Sequence, residues 1–195
     1  MPKKKNPDIK NDILKAAIDL FGRYGYKKTT VDEIAEAANI GKGTVYLNFS
    51  TKEDILFTII KENAEKMLKK LKSELRKKED IKEKLRLILH WRPERVFEFN
   101  AKYHHAMELM PVKKDLVKRI GAGPLKTYIA ILTETLDEGN ASGVFMVKDT
   151  ALLAEHINFM CFAFMPPFRI YETKEQVLEQ VEEYYKLLLK SIEKK

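Results

Sequence analysis

The sequence predicts an all-α protein, in which three short helices within residues 1–50 precede a longer helical body. Apolar residues recur at spacings of three and four along most of the 195-residue chain, and this period is typical of amphipathic α-helices. Residues able to cap helices precede several of these stripes, as at Thr30 and Thr173, each followed three positions later by Glu or Gln. Because little in the chain favours strands, we expect about nine helices.

Composition limits the classes of protein to which this chain can belong. With 45% hydrophobic and 33% charged residues, the sequence is globular rather than disordered. Its net charge of +7 permits a polyanionic partner but does not require one. The single cysteine, Cys161, excludes an intramolecular disulfide and a multi-cysteine zinc site. Since no secretory segment follows Met1 and the longest apolar run is far below the ~20 residues of a membrane span, we expect a cytoplasmic protein.

The first two helices have clear start and stop signals. The first is expected to begin at Asn6-Pro7, because proline suits the first helical position, and to end at Gly25. Thr30 is a good N-cap for the second helix, and Glu33 completes a capping box. Residues 39–41, Asn-Ile-Gly, then break the helical period and predict a turn.

The third helix, near residues 42–49, has two different faces. Val45 and Phe49 are four positions apart, which predicts one buried side. The opposite side carries hydrogen-bonding and apolar groups from Lys42, Thr44, Leu47 and Asn48, with Tyr46 at its edge. A helix of this size fits the major groove of B-DNA, which is roughly 12 Å wide. The pattern therefore predicts a helix that reads duplex DNA.

The rest of the chain is expected to be helical with short interruptions. Residues 51–78 are predicted to form one connecting helix, capped by Ser50 or Thr51. Further helices are predicted at 80–100 with a disturbance at Pro93, at 103–110, at 112–137 with an interruption at 121–124, at 150–164 and at 173–192. Residues 138–143 are predicted to form a turn, and residues 144–147 an extended connector.

Several ordered motifs resemble a known family. Residues 43–56, GTVYLNFSTKEDIL, resemble the recognition-helix signature of TetR-type (TetR/AcrR-type) transcriptional regulators. Residues 13–26 resemble the first helix of that family, and residues 30–35 resemble its second. The resemblance implies a helix-turn-helix DNA-binding domain in residues 1–50 and a helical ligand-binding and dimerisation domain in residues 79–195. It also implies a homodimeric repressor, which a small hydrophobic or aromatic effector releases from a palindromic double-stranded DNA operator.

Two kinds of DNA contact are expected from the first domain. Base-edge contacts give sequence preference, and the candidates for them are Lys42, Thr44, Leu47 and Asn48, while Gly43 would keep the start of the helix close to the DNA. Phosphate contacts fix orientation, and the candidates for them are Thr29, Thr30, Tyr46 and Lys52. Lys42 and Asn48 could serve either purpose, Leu47 can make only apolar contacts, and Tyr46 could instead pack within the domain.

The second domain is rich in aromatic and methionine side chains. Such residues line adaptable apolar cavities, but they also fill ordinary hydrophobic cores. If a cavity is present, its ligand is expected to be apolar or aromatic, such as a lipid-like molecule. The candidate ligand-binding residues are Trp91, Phe99, Tyr103, His104, Met107, Tyr128, Phe159 and Phe162.

The last two helices carry broad apolar stripes that could pack on their own domain or on a second copy of the chain. Different sides of each helix could also serve both purposes. The resemblance favours a four-helix dimer interface in this region. The candidate interface residues are Ile157, Phe164, Val177, Val181, Tyr184 and Leu188.

The rival interpretation is a helical metal-binding protein or enzyme. His104 and Glu108 are four positions apart on a predicted helix and could present two ligands on one side. No His-Glu-x-x-His pattern or hydrolase nucleophile elbow accompanies them. A basic amphipathic protein lying on membranes is a third interpretation, but it leaves the DNA-reading motif unexplained. We therefore expect no catalysis, no cofactor and no metal.

Overall fold

The computed structural model describes residues 7–102, 123–164 and 173–194, which fold into α-helices without a β-strand. In chain order these are α1 (Pro7–Tyr24), α2 (Val31–Ala37), α3 (Lys42–Asn48), α4 (Lys52–Leu75), α5 (Ile81–Lys102), α6 (Pro124–Ala141), α7 (Thr150–Ala163) and α8 (Lys174–Ile192). The prediction of an all-α fold is confirmed, while the helix predicted at residues 103–110 lies outside the described residues. Among the helices in these ranges, none is long and apolar enough to cross a bilayer.

The chain divides into two compact units. Of the described residues, the N-terminal unit contains 7–64 and 99–102, and the C-terminal unit contains 65–98, 123–164 and 173–194. Each unit has a hydrophobic core of its own. Both α4 and α5 therefore contribute residues to each unit.

The N-terminal unit encloses a small apolar core between α1, α2, α3 and the start of α4. The helix α1 begins at Pro7, as predicted, and stops before Gly25, whose φ of 87° suits glycine. Side chains from every helix of this unit fill the core, among them Ile13, Phe21, Ile34, Val45, Phe49 and Ile55. The predicted burial of Val45 and Phe49 is thus confirmed.

Reciprocal side-chain caps fix the starts of three helices. The backbone N–H of Glu33 donates to Thr30 Oγ1 at 3.2 Å, and the N–H of Thr30 donates to Glu33 Oε2 at 2.7 Å. The same pattern precedes α4 and α8, formed by Thr51 with Asp54 and by Thr173 with Gln176. These caps satisfy backbone donors that a helix start otherwise leaves unpaired.

One feature each of α4 and α5 differs from the sequence-based prediction. The connecting helix α4 ends at Leu75 rather than near Lys78. The helix α5 continues through Pro93, where a disturbance was expected. A proline inside a helix removes one hydrogen bond and crowds the carbonyl group of the preceding turn, but the buried Leu89 and Trp91 hold the surrounding turns in the core of the C-terminal unit.

The helix α6 continues into the turn predicted at residues 138–143 and ends at Ala141. Gly139 resembles a turn signal in the sequence, but in the structure it allows the ring of Phe145 to approach the helix. A Cβ atom on Gly139 would lie 2.0 Å from Phe145 Cδ2, so no larger residue fits without movement. The chain turns after α6 at Gly143, which has a φ of 71°.

The connector between α6 and α7 is extended, as predicted, and pairs with the end of α8. Phe145 and Glu193 form an isolated antiparallel bridge. The N–H of Met146 donates to Ile192 O at 2.7 Å, and the N–H of Lys194 donates to Val144 O at 3.0 Å. The main chain therefore joins the connector to the C-terminal end of α8.

Candidate nucleic-acid interface

The helices α2 and α3 form a helix-turn-helix in the N-terminal unit. The turn between them contains Asn39, whose φ of 53° lies in the left-handed region that asparagine tolerates. The N–H of Ile40 donates to Ala35 O at 3.0 Å, which closes the turn onto α2. Because Val45 and Phe49 anchor one side of α3 in the core, the opposite side faces away from it.

The outward face of α3 consists of Lys42, Gly43, Thr44, Tyr46, Leu47 and Asn48. Leu47 is 69% exposed and Tyr46 is 49% exposed. Asn48 is half-buried, and its Nδ2 donates to Thr44 O at 2.8 Å, which fixes the direction of its amide oxygen. This face combines a cation, a hydroxyl group, an amide and exposed apolar surface, which are the groups that read base edges in a major groove.

Lys42, the cation of this face, forms an ion pair with Asp32. Lys42 Nζ lies 2.8 Å and 2.9 Å from the two carboxylate oxygens of Asp32, at the start of α2. The hydrogen bond to Asp32 raises the pKa of Lys42. Both side chains are exposed, so the pair can exchange with another anion at low cost. Sequence analysis missed Asp32, because nothing in the pattern indicates a contact across ten positions.

Two threonines expected to meet phosphate are already engaged within the protein. Thr29 is only 2% exposed, and its hydroxyl group donates to Gly25 O at 2.9 Å. Its side chain would have to leave the core to reach a phosphate, so its contact with DNA stays a prediction. The hydroxyl group of Thr30 takes part in the capping box with Glu33, although Thr30 itself is exposed.

Lys52, the third predicted phosphate contact outside α3, binds the loop between α1 and α2. Its ammonium group donates to Tyr26 O and to Thr29 O, both at 2.7 Å, and lies 4.4 Å from the centre of the Tyr26 ring. Partial burial lowers the pKa of Lys52. The Tyr26 ring also contacts Phe21 edge-on, with 5.2 Å between ring centres. Lys52 therefore connects the start of α4 to the loop that precedes α2, and sequence analysis missed Tyr26 as its partner.

Four of the predicted ligand-binding residues, Trp91, Tyr128, Phe159 and Phe162, lie in the C-terminal unit. Trp91 and Tyr128 are buried in the core of the C-terminal unit, and Tyr128 donates its hydroxyl to Ile88 O at 2.9 Å. Burial raises the pKa of Tyr128 well above its ordinary value. Phe162, in the same unit, lies under the guanidinium group of Arg92.

Phe99 and Phe159 have different surroundings. Phe99 packs against the core of the N-terminal unit. Phe159 is 74% exposed on α7, and its assignment to a ligand pocket stays a prediction. The residues Tyr103, His104 and Met107 lie outside the described residues, as does the Glu108 of the rival metal-site interpretation.

The predicted dimer residues point mostly into their own chain. Five of the six are buried in the core of the C-terminal unit, namely Ile157, Phe164, Val177, Val181 and Leu188. Tyr184 is half-buried beside Phe164, and burial raises its pKa to about 12. The apolar side chains that α7 and α8 leave exposed are different ones, Leu152, Phe159, Met160 and Leu187. Helical periodicity finds both sides of such helices but does not tell which side meets the core.

The fold and the outward face of α3 define a helix-turn-helix DNA-binding protein. Residues 13–59 match the family model described as bacterial regulatory proteins, tetR family. Residues 60–191 match the model described as YsiA-like protein, C-terminal region. The chain therefore belongs to the tetR family of bacterial transcriptional regulators, and it is a DNA-binding regulator rather than an enzyme.

Relatives of known name and structure cover most of the chain. The fatty acid metabolism regulator protein of Bacillus subtilis (strain 168) is 32% identical over 146 residues, 72% of each chain. The fatty acid degradation regulator FadR of Bacillus halodurans has 28% identity and a TM-score of 0.74, over 96% of this chain and 97% of that one. FadR of B. subtilis in complex with stearoyl-CoA has 27% identity and a TM-score of 0.73, over 92% and 97%.

Proposed function

We propose that this regulator is a homodimeric, cytoplasmic repressor of fatty acid metabolism genes, which a long-chain fatty acyl-CoA releases from a palindromic operator. The observation that carries the DNA-binding part is the orientation of α3. Its apolar residues Val45 and Phe49 are buried, while Tyr46 and Leu47 stay exposed without serving the core. Beside them, Lys42, Thr44 and Asn48 add the cation, hydroxyl and amide that bind phosphates and base edges.

Within this proposal, the contacts with DNA come from the outward face of α3. Thr44, Leu47 and Asn48 meet base edges, and Tyr46 donates its hydroxyl to a phosphate. Lys42 exchanges Asp32 for a base or a phosphate. Thr30 stands at the start of α2, where its exposed backbone lies close to the duplex. Lys52 acts indirectly, because it holds the loop that positions α2.

The proposed dimer uses the outward sides of α7 and α8. Phe159 is 74% exposed and Leu187 is 65% exposed, and Leu152 and Met160 extend the apolar surface along α7. A groove of α8, between Gln176 and Leu187, lies next to the half-buried Tyr184. Burial of such side chains against a second copy is favourable, at about 25 cal/mol for each Å² of apolar surface. A two-fold dimer would present two α3 helices to half-sites about 34–36 Å apart.

The proposed effector class rests on the relatives. A B. subtilis FadR structure contains stearoyl-CoA and aligns with 92% of this chain, and a relative with 32% identity is a fatty acid metabolism regulator. Both matches extend beyond residues 13–59, the part that matches the DNA-binding model. An effector that binds better to a conformation with wrongly spaced α3 helices would release the operator by population shift.

Fluorescence anisotropy tests the proposal. Labelled duplexes tiled across the region upstream of the gene are titrated with the protein, beside a shuffled duplex of equal length. We expect one palindromic segment to bind at least about a hundredfold more tightly than shuffled DNA at moderate salt, and stearoyl-CoA to release it. Equal affinity for all duplexes would overturn the regulator proposal. Specific binding that no acyl-CoA reverses would overturn the effector alone.

A further inference from the structure

Arg92 differs from its neighbouring cations on α5. Arg86 binds Glu182 at 2.7 Å, and Lys84 binds Glu138 at 2.6 Å. Arg95 and Lys82 also have carboxylate partners. Within residues 7–102, 123–164 and 173–194, no carboxylate lies at ion-pair distance from Arg92. The charge of Arg92 is therefore not balanced by this part of the protein.

Arg92 is half-buried, and the groups packed around it do not neutralise its charge. Its Nη1 donates to Asn158 Oδ1 at 3.0 Å, and its Cζ lies 4.2 Å from the centre of the Phe162 ring and 5.6 Å from that of Tyr128. Burial lowers the pKa of Arg92, but a guanidinium group remains charged in proteins. Three helices, α5, α6 and α7, therefore meet around a cation that is costly to bury without an anion.

Several hydrogen-bond donors around Arg92 lack an acceptor among the described residues. A guanidinium group carries five N–H donors, and Asn158 accepts a hydrogen bond from one nitrogen of Arg92. Among the residues that the structure describes, the buried donors Trp91 Nε1 and Arg95 Nε have no hydrogen-bond partner. Buried donors in native proteins normally have acceptors, so this arrangement indicates a ligand that brings its own oxygen atoms.

We propose that Arg92 binds an oxyanion of the effector, a carboxylate or a phosphate, and that Asn158 and Phe162 orient its guanidinium group for that contact. The proposal rests on the proposed function, since it concerns the effector of the same regulator. A planar guanidinium can bind two oxygens of a carboxylate or phosphate side by side. The Asn158 oxygen fixes one edge of the group and the Phe162 ring covers one face, which leaves the remaining N–H groups for the ligand.

The contact would also connect effector binding to the rest of the C-terminal unit. Arg92 lies on α5, Tyr128 on α6, and Asn158 and Phe162 on α7. An anion on Arg92 would neutralise a charge that now lies between these helices, and so would favour the conformation in which they close around it. Since α7 also carries the exposed Phe159 of the proposed dimer face, the same helix would take part in effector binding and in the dimer contact.

Intrinsic fluorescence offers a direct readout, because the single tryptophan, Trp91, is the residue next to Arg92. The purified full chain is titrated with laurate, lauroyl-CoA and the neutral 1-dodecanol, each below its micelle concentration. We expect Arg92→Gln to weaken binding of laurate or lauroyl-CoA by at least about tenfold, as expected for loss of a charge-assisted hydrogen bond. Binding of dodecanol should stay unchanged. Arg86→Gln is the matched control, since that arginine already has Glu182 as its partner.

A second variant keeps the test valid if Arg92→Gln does not fold. Asn158→Asp would place a carboxylate against Arg92 and supply the missing counter-charge within the protein. We expect the thermal stability of this variant to equal or exceed that of the wild-type protein, while its affinity for laurate or lauroyl-CoA falls by about tenfold.

The ligand series separates the two oxyanions and the two proposals. An effect of Arg92→Gln on laurate supports a carboxylate contact, and an effect on lauroyl-CoA alone supports a phosphate contact. Wild-type affinity of both variants for both anions would overturn the role of Arg92. If none of the three compounds binds even the wild-type protein, the acyl effector of the proposed function fails as well.

Discussion

The ion pair between Lys42 and Asp32 leads to a prediction that separates DNA affinity from folding. The two side chains are 54% and 63% exposed, so the pair adds little to stability. On DNA, however, Lys42 must leave Asp32 or share it with the duplex, and the carboxylate repels nearby phosphates. Lys42→Gln should therefore weaken operator binding by about five- to twentyfold, and Asp32→Asn should strengthen it by about two- to fivefold.

Salt dependence gives the sharper measurement. If each Lys42 releases one counterion, Lys42→Gln should lower the slope of log affinity against log salt by about 0.9 for each α3, or about 1.8 for a dimer. Asp32→Asn should leave the slope largely unchanged. Anisotropy titrations of one operator duplex between about 50 and 200 mM salt measure both quantities. An unchanged affinity and slope for Lys42→Gln, or weaker binding by Asp32→Asn, would refute the assignment of Lys42 to DNA.

Four further substitutions and one control substitution test other parts of the structure. Lys52→Met keeps the aliphatic stem but leaves two loop carbonyls without their donor, so the free energy of unfolding in urea should fall by about 1–3 kcal/mol, with weaker operator binding. Phe159→Glu puts a charge on the proposed dimer face and should produce monomers in sedimentation experiments; an unchanged dimer would exclude that face. Gly139→Ala should lower the free energy of unfolding by about 1–3 kcal/mol, because the added methyl group overpacks against the ring of Phe145, despite the better helix propensity of alanine. Gly43→Ala is the control: a Cβ at that position has no neighbour within 4 Å, so folding stability should not fall. Burial lowers the pKa of His90, so the unfolded chain binds the proton more readily, and stability should decline as the pH falls below about 6.5; His90→Gln should flatten this decline in pH-dependent urea titrations.

Local chemistry made much of the N-terminal unit predictable. Thr30 and Glu33 identify a helix start by themselves, because the capping box needs only residues three positions apart. The pair Val45 and Phe49 likewise identifies the buried side of α3, because a helix this short has room for only one apolar side. Where the sequence and the structure agree, the signal lies within one or two turns of helix.

The features that sequence analysis missed depend on contacts between distant parts of the chain. The ammonium group of Lys52 donates to backbone carbonyls more than twenty positions away. Every residue has such a carbonyl, so the sequence does not indicate which one is the acceptor. Gly139 resembles a turn signal in the sequence, whereas in the structure glycine is needed there because the ring of Phe145 packs against it. On α7, both Ile157 and Phe159 belong to apolar stripes, and only the position of the neighbouring helices makes the first buried and the second exposed.

The pairing between residues 144–146 and the end of α8 has a mechanical consequence. With Met146 and Lys194 each donating across the same short bridge, α8 cannot slide along its own axis unless it breaks main-chain bonds or pulls the connector with it. The connector leads within a few residues into α7. A shift of α8 along its axis would therefore also pull on the segment that leads into α7.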